Sequence, residues 1–105
     1  MAVAFESVRI DFDSTAGRAQ REPRSVTFHG YRRVTNADAA VKGFEARFTR
    51  GDRNVFQLQV DLDVVGIERN TVMIAGDLAL RDASGNFDDE YEGFIEALVI
   101  ADVER

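Results

Sequence analysis

Apolar and polar residues alternate with a period of two through most of this chain. In "SVRIDF", Val8, Ile10 and Phe12 fall on one side, with Arg9 and Asp11 on the other. That is the pattern of a strand with one buried face. "RSVTFHGY" repeats it with Val26 and Phe28, and "KGFEARF" sets Phe44, Ala46 and Phe48 against Glu45 and Arg47. The clearest run is "VFQLQVDLDV": Phe56, Leu58, Val60, Leu62 and Val64 point one way, and Gln57, Gln59, Asp61 and Asp63 the other. "TVMIAGDLAL" then turns Val72, Ile74, Leu78 and Leu80 inward.

Helix has little purchase. "TNADAAVKGF" could hold a single turn, capped by Thr35 or Asn36, because Ala37 to Val41 are too few for more. Six or seven strands with one apolar face each must stack or close on themselves. The expected fold is therefore all-β, an antiparallel β-sandwich or small barrel forming one domain over residues 1–105. Short connections between 44 and 103 predict a meander of three or four strands. The earlier strands reach it through long loops near 13–25 and 32–41.

The last strand departs from simple alternation. In "FIEALVIADV", Ile95, Ala97, Val99, Ala101 and Val103 form one apolar face, yet Phe94, Leu98 and Ile100 make the opposite face apolar too. A strand in a two-layer sandwich has one buried side, so a second cover is expected. Burial would stabilise by about 1.5–3 kcal/mol per side chain. A long loop of the same chain could supply that cover, or a second copy could. Phe94, Leu98 and Ile100 are accordingly the expected interface of a homo-oligomer.

Composition narrows the function classes. The chain has 105 residues, 45% apolar, with eight Phe and one Pro, enough for a core without staples. Cysteine is absent, which removes disulfides and thiolate chemistry. The first residues lack a basic start followed by an apolar run, and no apolar stretch reaches the ~18 residues of a membrane span. Neither a signal peptide nor a membrane partner is expected. Residues 1–53 carry ten Arg/Lys against seven Asp/Glu, and residues 54–105 carry three against twelve, within a net charge of −6. That balance disfavours nucleic acid as a partner. Arg18, Arg21, Arg24, Arg32 and Arg33 could form a local anion patch, but pairing with acids of the second half is the simpler expectation.

One stretch has the look of a site. "RDASGNFDDEYEG" offers Asp82, Asn86, Asp88, Asp89 and Glu90 around Gly85. Hard cations such as calcium take six to eight oxygens from such a loop. Counting from Asp82, however, the helix–loop–helix calcium pattern fails, because Phe87 stands where Gly belongs and Gly93 where Glu belongs. Asp, Ser, Gly and Asn are also what any turn prefers. A plain turn comes first, then a calcium site, then an acidic contact surface. No cofactor other than calcium is suggested. If the loop binds ligand, Tyr31, Asn86 and Tyr91 would complete a carbohydrate site, the tyrosines stacking on a sugar.

Catalysis has thin support. His29 is the single histidine, expected on the solvent side, and no nucleophile elbow accompanies it. Asp61 and Asp63 share a strand face about 6.6 Å apart, a separation compatible with glycoside hydrolysis by inversion, but Trp is absent and Tyr scarce. "RGD" at 50–52 sits where a turn is expected. No catalytic residue is assigned. The leading expectation is a non-catalytic structural or interaction module that self-associates or binds protein. A lectin-like module, with or without calcium, is the alternative, and a hydrolase with paired carboxylates stands third.

Overall fold

The computed structural model describes residues 2–16, 18–49, 55–82 and 90–105. Its strands are β1 (Ala2–Thr15), β2 (Gln20–Thr27), β3 (Arg33–Phe48), β4 (Val55–Glu68), β5 (Thr71–Asp82) and β6 (Tyr91–Glu104). Among the described residues there is no helix. Two three-stranded antiparallel sheets, sheet 1 ordered β1-β6-β3 and sheet 2 ordered β2-β5-β4, stack as an open sandwich and do not close into a barrel. A 14-residue strand reaches roughly 46 Å. The strands therefore run the length of a molecule measuring 51 × 18 × 16 Å.

Alternation places the core. β5 buries Val72, Ile74, Leu78 and Leu80, and β6 buries Ile95, Ala97, Val99, Ala101 and Val103, all at 3% exposure or less. These two strands are central in their sheets, flanked by a neighbour on each side. Ile10 and Phe12 from β1, Val26 from β2, Phe28 and Val34 close the cluster, with Val60, Leu62 and Val64 of β4 packed against it.

Several expectations need correction. The long loops at 13–25 and 32–41 do not exist as such. β1 runs on to Thr15, β2 starts at Gln20, and residues 33–41 belong to β3. β2 is an edge strand, which needs few apolar residues, so "QREPRS" reads as loop although it is paired throughout with β5. The helical turn is absent because Ala37 and Ala39 pair with Ala101 and Val99 of β6 and pack on the core. Helix propensity is a weak prior beside such pairing. The meander reduces to one hairpin, β4–β5, since β3 and β6 pair although two strands separate them in sequence. Phe44 and Leu58 lie opposite the buried Ile95 and Leu80, yet remain 47% and 45% exposed. Both sit on edge strands, where nothing covers their flank among the described residues.

The β4–β5 turn is tied to its surroundings. Arg69 adopts a left-handed φ of 54°. Its carbonyl accepts the Val34 N–H at 2.7 Å, and the Asn70 carbonyl accepts the Phe28 N–H at 2.8 Å. The turn thus joins both sheets at one end.

At the other end, β3 presses onto β6 at Gly93. A Cβ there would run into the Glu45 carbonyl oxygen and would lie 3.1 Å from Ala46 Cα. At Gly43 a Cβ would meet nothing within 4 Å. Gly93→Ala is therefore expected to destabilise by about 3 kcal/mol, lowering Tm by more than ~10 °C, with Gly43→Ala near neutral. Thermal melts of both variants check this; equal melting temperatures would refute the close approach.

Candidate functional site

Two outward faces and one buried tyrosine hold the residues that the sequence singles out. In sheet 1, opposed residues share a face, so the register sets up cross-strand rows. Phe5, Ile100 and Asp38 form one row, Ser7, Leu98 and Ala40 the next, and Val3 lies opposite Asp102. Val3 and Phe5 are 56% and 62% exposed. Phe94, Leu98 and Ile100 are half-buried, shielded by their neighbours on β1 and β3 without being covered. Phe94 carries the Arg9 guanidinium 3.8 Å above its ring. The apolar second face of the last strand is thus real, and no described segment folds over it as a lid.

Beside it lies a shallow concavity of about 390 Å³, bordered by Arg9, Asp11, Glu45, Arg47, Glu92 and Phe94. Its charges pair with one another. Arg47 contacts Glu92 at 2.9 Å and Glu45 at 3.6 Å, and Arg9 contacts Asp11 at 2.8 Å.

On the outer face of sheet 2, Arg21, Asp77 and Asp61 share one row across three strands, with Asp63 in the next. Carboxylate oxygens of Asp61, Asp63 and Asp77 lie within 4.8 Å of one another. Arg21 Nη1 donates to Asp77 at 2.6 Å and to Asp63 at 3.2 Å. The hydrogen bond to Asp77, then that to Asp63, raises the Arg21 pKa above its ordinary value, so the guanidinium stays charged. It sits where a cation bridging these acids would sit, and the cluster reads as an ion-pair network on an exposed sheet. The period of two correctly joins Asp61 and Asp63. Arg21 pairs with acids of the second half as expected, but Asp77 and the choice of partners carried no signal in sequence, because their meeting needs the β2–β5–β4 order. Arg32 and Arg33 likewise pair with Glu104 of the second half, at 3.8 and 2.6 Å.

Of the proposed ligand and metal residues, Asn86, Asp88 and Asp89, and the side chain of Asp82, lie outside the described residues. So does the 50–52 tripeptide. Glu90 is exposed, and its Oε1 accepts a hydrogen bond from Thr49 Oγ1 at 3.1 Å. Tyr31 is half-buried, with the Arg105 guanidinium 5.8 Å from its ring centre. His29 is exposed, on the solvent side as expected.

Tyr91 must be corrected. It is fully buried and cannot stack on a sugar. Starting β6 in the inward phase, its ring enters the core, and its hydroxyl donates to the Arg18 carbonyl at 2.6 Å, with the Leu78 carbonyl 3.2 Å away. Burial pushes its pKa above the ordinary value near 10, partly offset by the Gln20 amide and the Arg18 charge. Gln20 Nε2 is itself buried without a well-aligned partner, so its interaction with Tyr91 is a loose one.

A raised pKa means that the folded state holds this proton more tightly than the unfolded chain does. Its contribution is complete below about pH 10 and is lost as pH rises through the folded value. Tyr91→Phe should cost about 1–2 kcal/mol at neutral pH and lose stability less steeply above pH ~10 than wild type. Urea unfolding at pH values from about 8 to 11 tests both, and parallel pH profiles would contradict the assignment.

No protein-family model matches this chain, nor does any curated protein or solved structure, so no activity comes to it from a relative.

Proposed function

We propose that this chain is a non-catalytic β-sandwich module that works by association, with the outer face of sheet 1 as its contact surface. One observation carries the reading: Val3 and Phe5, 56% and 62% exposed, lie beside the half-buried Leu98 and Ile100 on one continuous face. Contiguous apolar surface of this kind marks interaction sites more often than scattered apolar residues do. The charges around it, Asp102 at one end, Asp38 beside Ile100 on β3, and Arg9 with Lys42 toward the other end, supply a polar rim.

Other readings draw less support. A carbohydrate module would need stacking rings, and Tyr91 is buried while Tyr31 is half-covered beside Arg105. A hydrolase using Asp61 and Asp63 would need a cleft, whereas both acids stand exposed on a sheet face, Asp63 bound to Arg21. Calcium in the 82–92 stretch remains a proposal from sequence.

Light scattering tests the association. Wild type should show a mass of at least twice 11.7 kDa at high concentration. Leu98→Asp and Ile100→Asp should fall to the monomer mass while keeping a β-type circular dichroism spectrum. A wild-type mass of one chain, with no capture of a protein partner, removes the reading.

A further inference from the structure

An open sandwich has four sheet edges, and an unpaired edge is a template for another strand unless it is blunted. Three of these edges carry blunting devices. β2 has only eight residues and places Pro23, which has no N–H, in its middle. β3 is broken by two bulges, at Val34/Asn36 and Val41/Gly43, and bears Lys42. β4 has register shifts at Val55/Gln57 and Val64/Gly66, and its exposed face carries Asp61 and Asp63. β1 differs. It carries charges too, Arg9 and Asp11 outward and Glu6 in the inward phase, but its pairing with β6 runs without interruption from Ala2 to Phe12, with no Pro, and no described residue pairs with its other side. The two most exposed large apolar residues among those described, Phe5 and Val3, both lie in this segment.

We propose that β1 is a docking edge for a second copy of this chain, the two β1 strands pairing antiparallel about a two-fold axis at Ser7. This rests on the association reading above but moves the contact from the outer face to the β1 edge, where Leu98 and Ile100 of β6 lie outside the seam. Leu98→Asp and Ile100→Asp keep the dimer mass if the edge carries the contact and lose it if the outer face does. The occupant follows from the segment's complementarity to itself. Both copies keep their inner faces on one side of a joint sheet only when odd residues meet odd and even meet even. Among such registers, the one centred on Ser7 pairs the whole of Ala2–Phe12. It sets Phe5 of each copy opposite Arg9 of the other, and Val3 opposite Asp11, with no like charges opposed. Shifting by one residue about the axis loses two pairs either way. One such shift opposes the two Glu6 side chains, and the other sets Phe5 against Asp11. A further shift opposes the two Arg9 side chains.

The Phe5–Arg9 pairing has a physical basis. Directly opposed Cβ atoms lie ~4.5–5.5 Å apart. Arg9 already holds its guanidinium above the sheet, 3.8 Å over Phe94. In the dimer the guanidinium turns from Phe94 on β6 toward the edge, to the ring of Phe5 in the second copy, as a cation over an aromatic face. The result is one six-stranded sheet, β3-β6-β1-β1-β6-β3, and both of its β1 edges are consumed.

Two sets of variants separate edge pairing from face-to-face packing. The chain has no cysteine, so Ser7→Cys introduces a single thiol, placed at the axis within disulfide range of its copy. Ala40→Cys lies in the same row but on β3, the far edge of the sheet. Under mild oxidation Ser7→Cys should convert fully to a covalent dimer, with Ala40→Cys at least ten-fold slower. Phe5→Glu should keep the dimer mass, because Glu then faces Arg9 of the other copy, whereas Phe5→Lys should fall to monomer. The edge geometry is overturned, with association intact, if a dimeric wild type gives cross-links only through Ala40→Cys. It is equally overturned if Phe5→Glu and Phe5→Lys both become monomers. A monomeric wild type at millimolar concentration removes the geometry and any self-association, and the broader association falls with it if no protein partner is captured either.

Discussion

The structure depends on the contact between β5 and β6, the central strands of the two sheets. Each is hydrogen-bonded on both flanks, and each turns a row of aliphatic side chains into the space between the sheets. Neither row could be shielded by its own sheet, since a sheet has no thickness of its own to bury a side chain. Val72, Ile74, Leu78 and Leu80 must therefore meet Ile95, Val99 and Val103 for either sheet to leave water. The flanking strands follow from that contact, because they satisfy the backbone groups that the central pair takes out of solvent.

The same constraint explains what is left outside. A two-layer sandwich of three-stranded sheets covers two faces and exposes two. Sheet 2 meets solvent with Gln57, Gln59, Asp61 and Asp63 and a small-residue central strand in which Ala75 and Ala79 are shielded by longer neighbours. Sheet 1 meets it with Val3, Phe5, Leu98 and Ile100. The outer face of sheet 1 thus carries an apolar patch among its charges, and this patch makes the association reading specific to one side of the molecule. The chain-end charges tell a similar story. Most of the basic first half that is paired meets acids of the second half, through Arg21, Arg33 and Arg47, so folding brings part of the split charge together.

Tyr91 shows how a residue type misleads when its phase is ignored. A tyrosine beside five acids in a turn-like stretch suggests a binding ring. It occupies the first inward position of β6, however, and the alternation Tyr91, Ile95, Ala97, Val99 commits it to the core, interrupted only at Gly93, where β3 approaches too closely for any side chain. Its hydroxyl then finds the Arg18 and Leu78 carbonyls. The opposite error befell Ala37 and Ala39, whose helix-favouring type concealed an edge strand.

From its sequence alone this chain was all-β, with the inward rows of β1, β5 and β6 and the apolar second face of the last strand legible residue by residue. Period-two patterning is a local property, and strongly buried strands write it clearly. Which strands would be neighbours was decided only in three dimensions, because hydrogen-bonded pairing between β3 and β6, or between β2 and β5, leaves no mark at fixed sequence spacing. For the same reason Arg21 and Asp77 joined Asp61 and Asp63 only once β2, β5 and β4 lay side by side. The free edge of β1 could be identified only after every other strand had found its place.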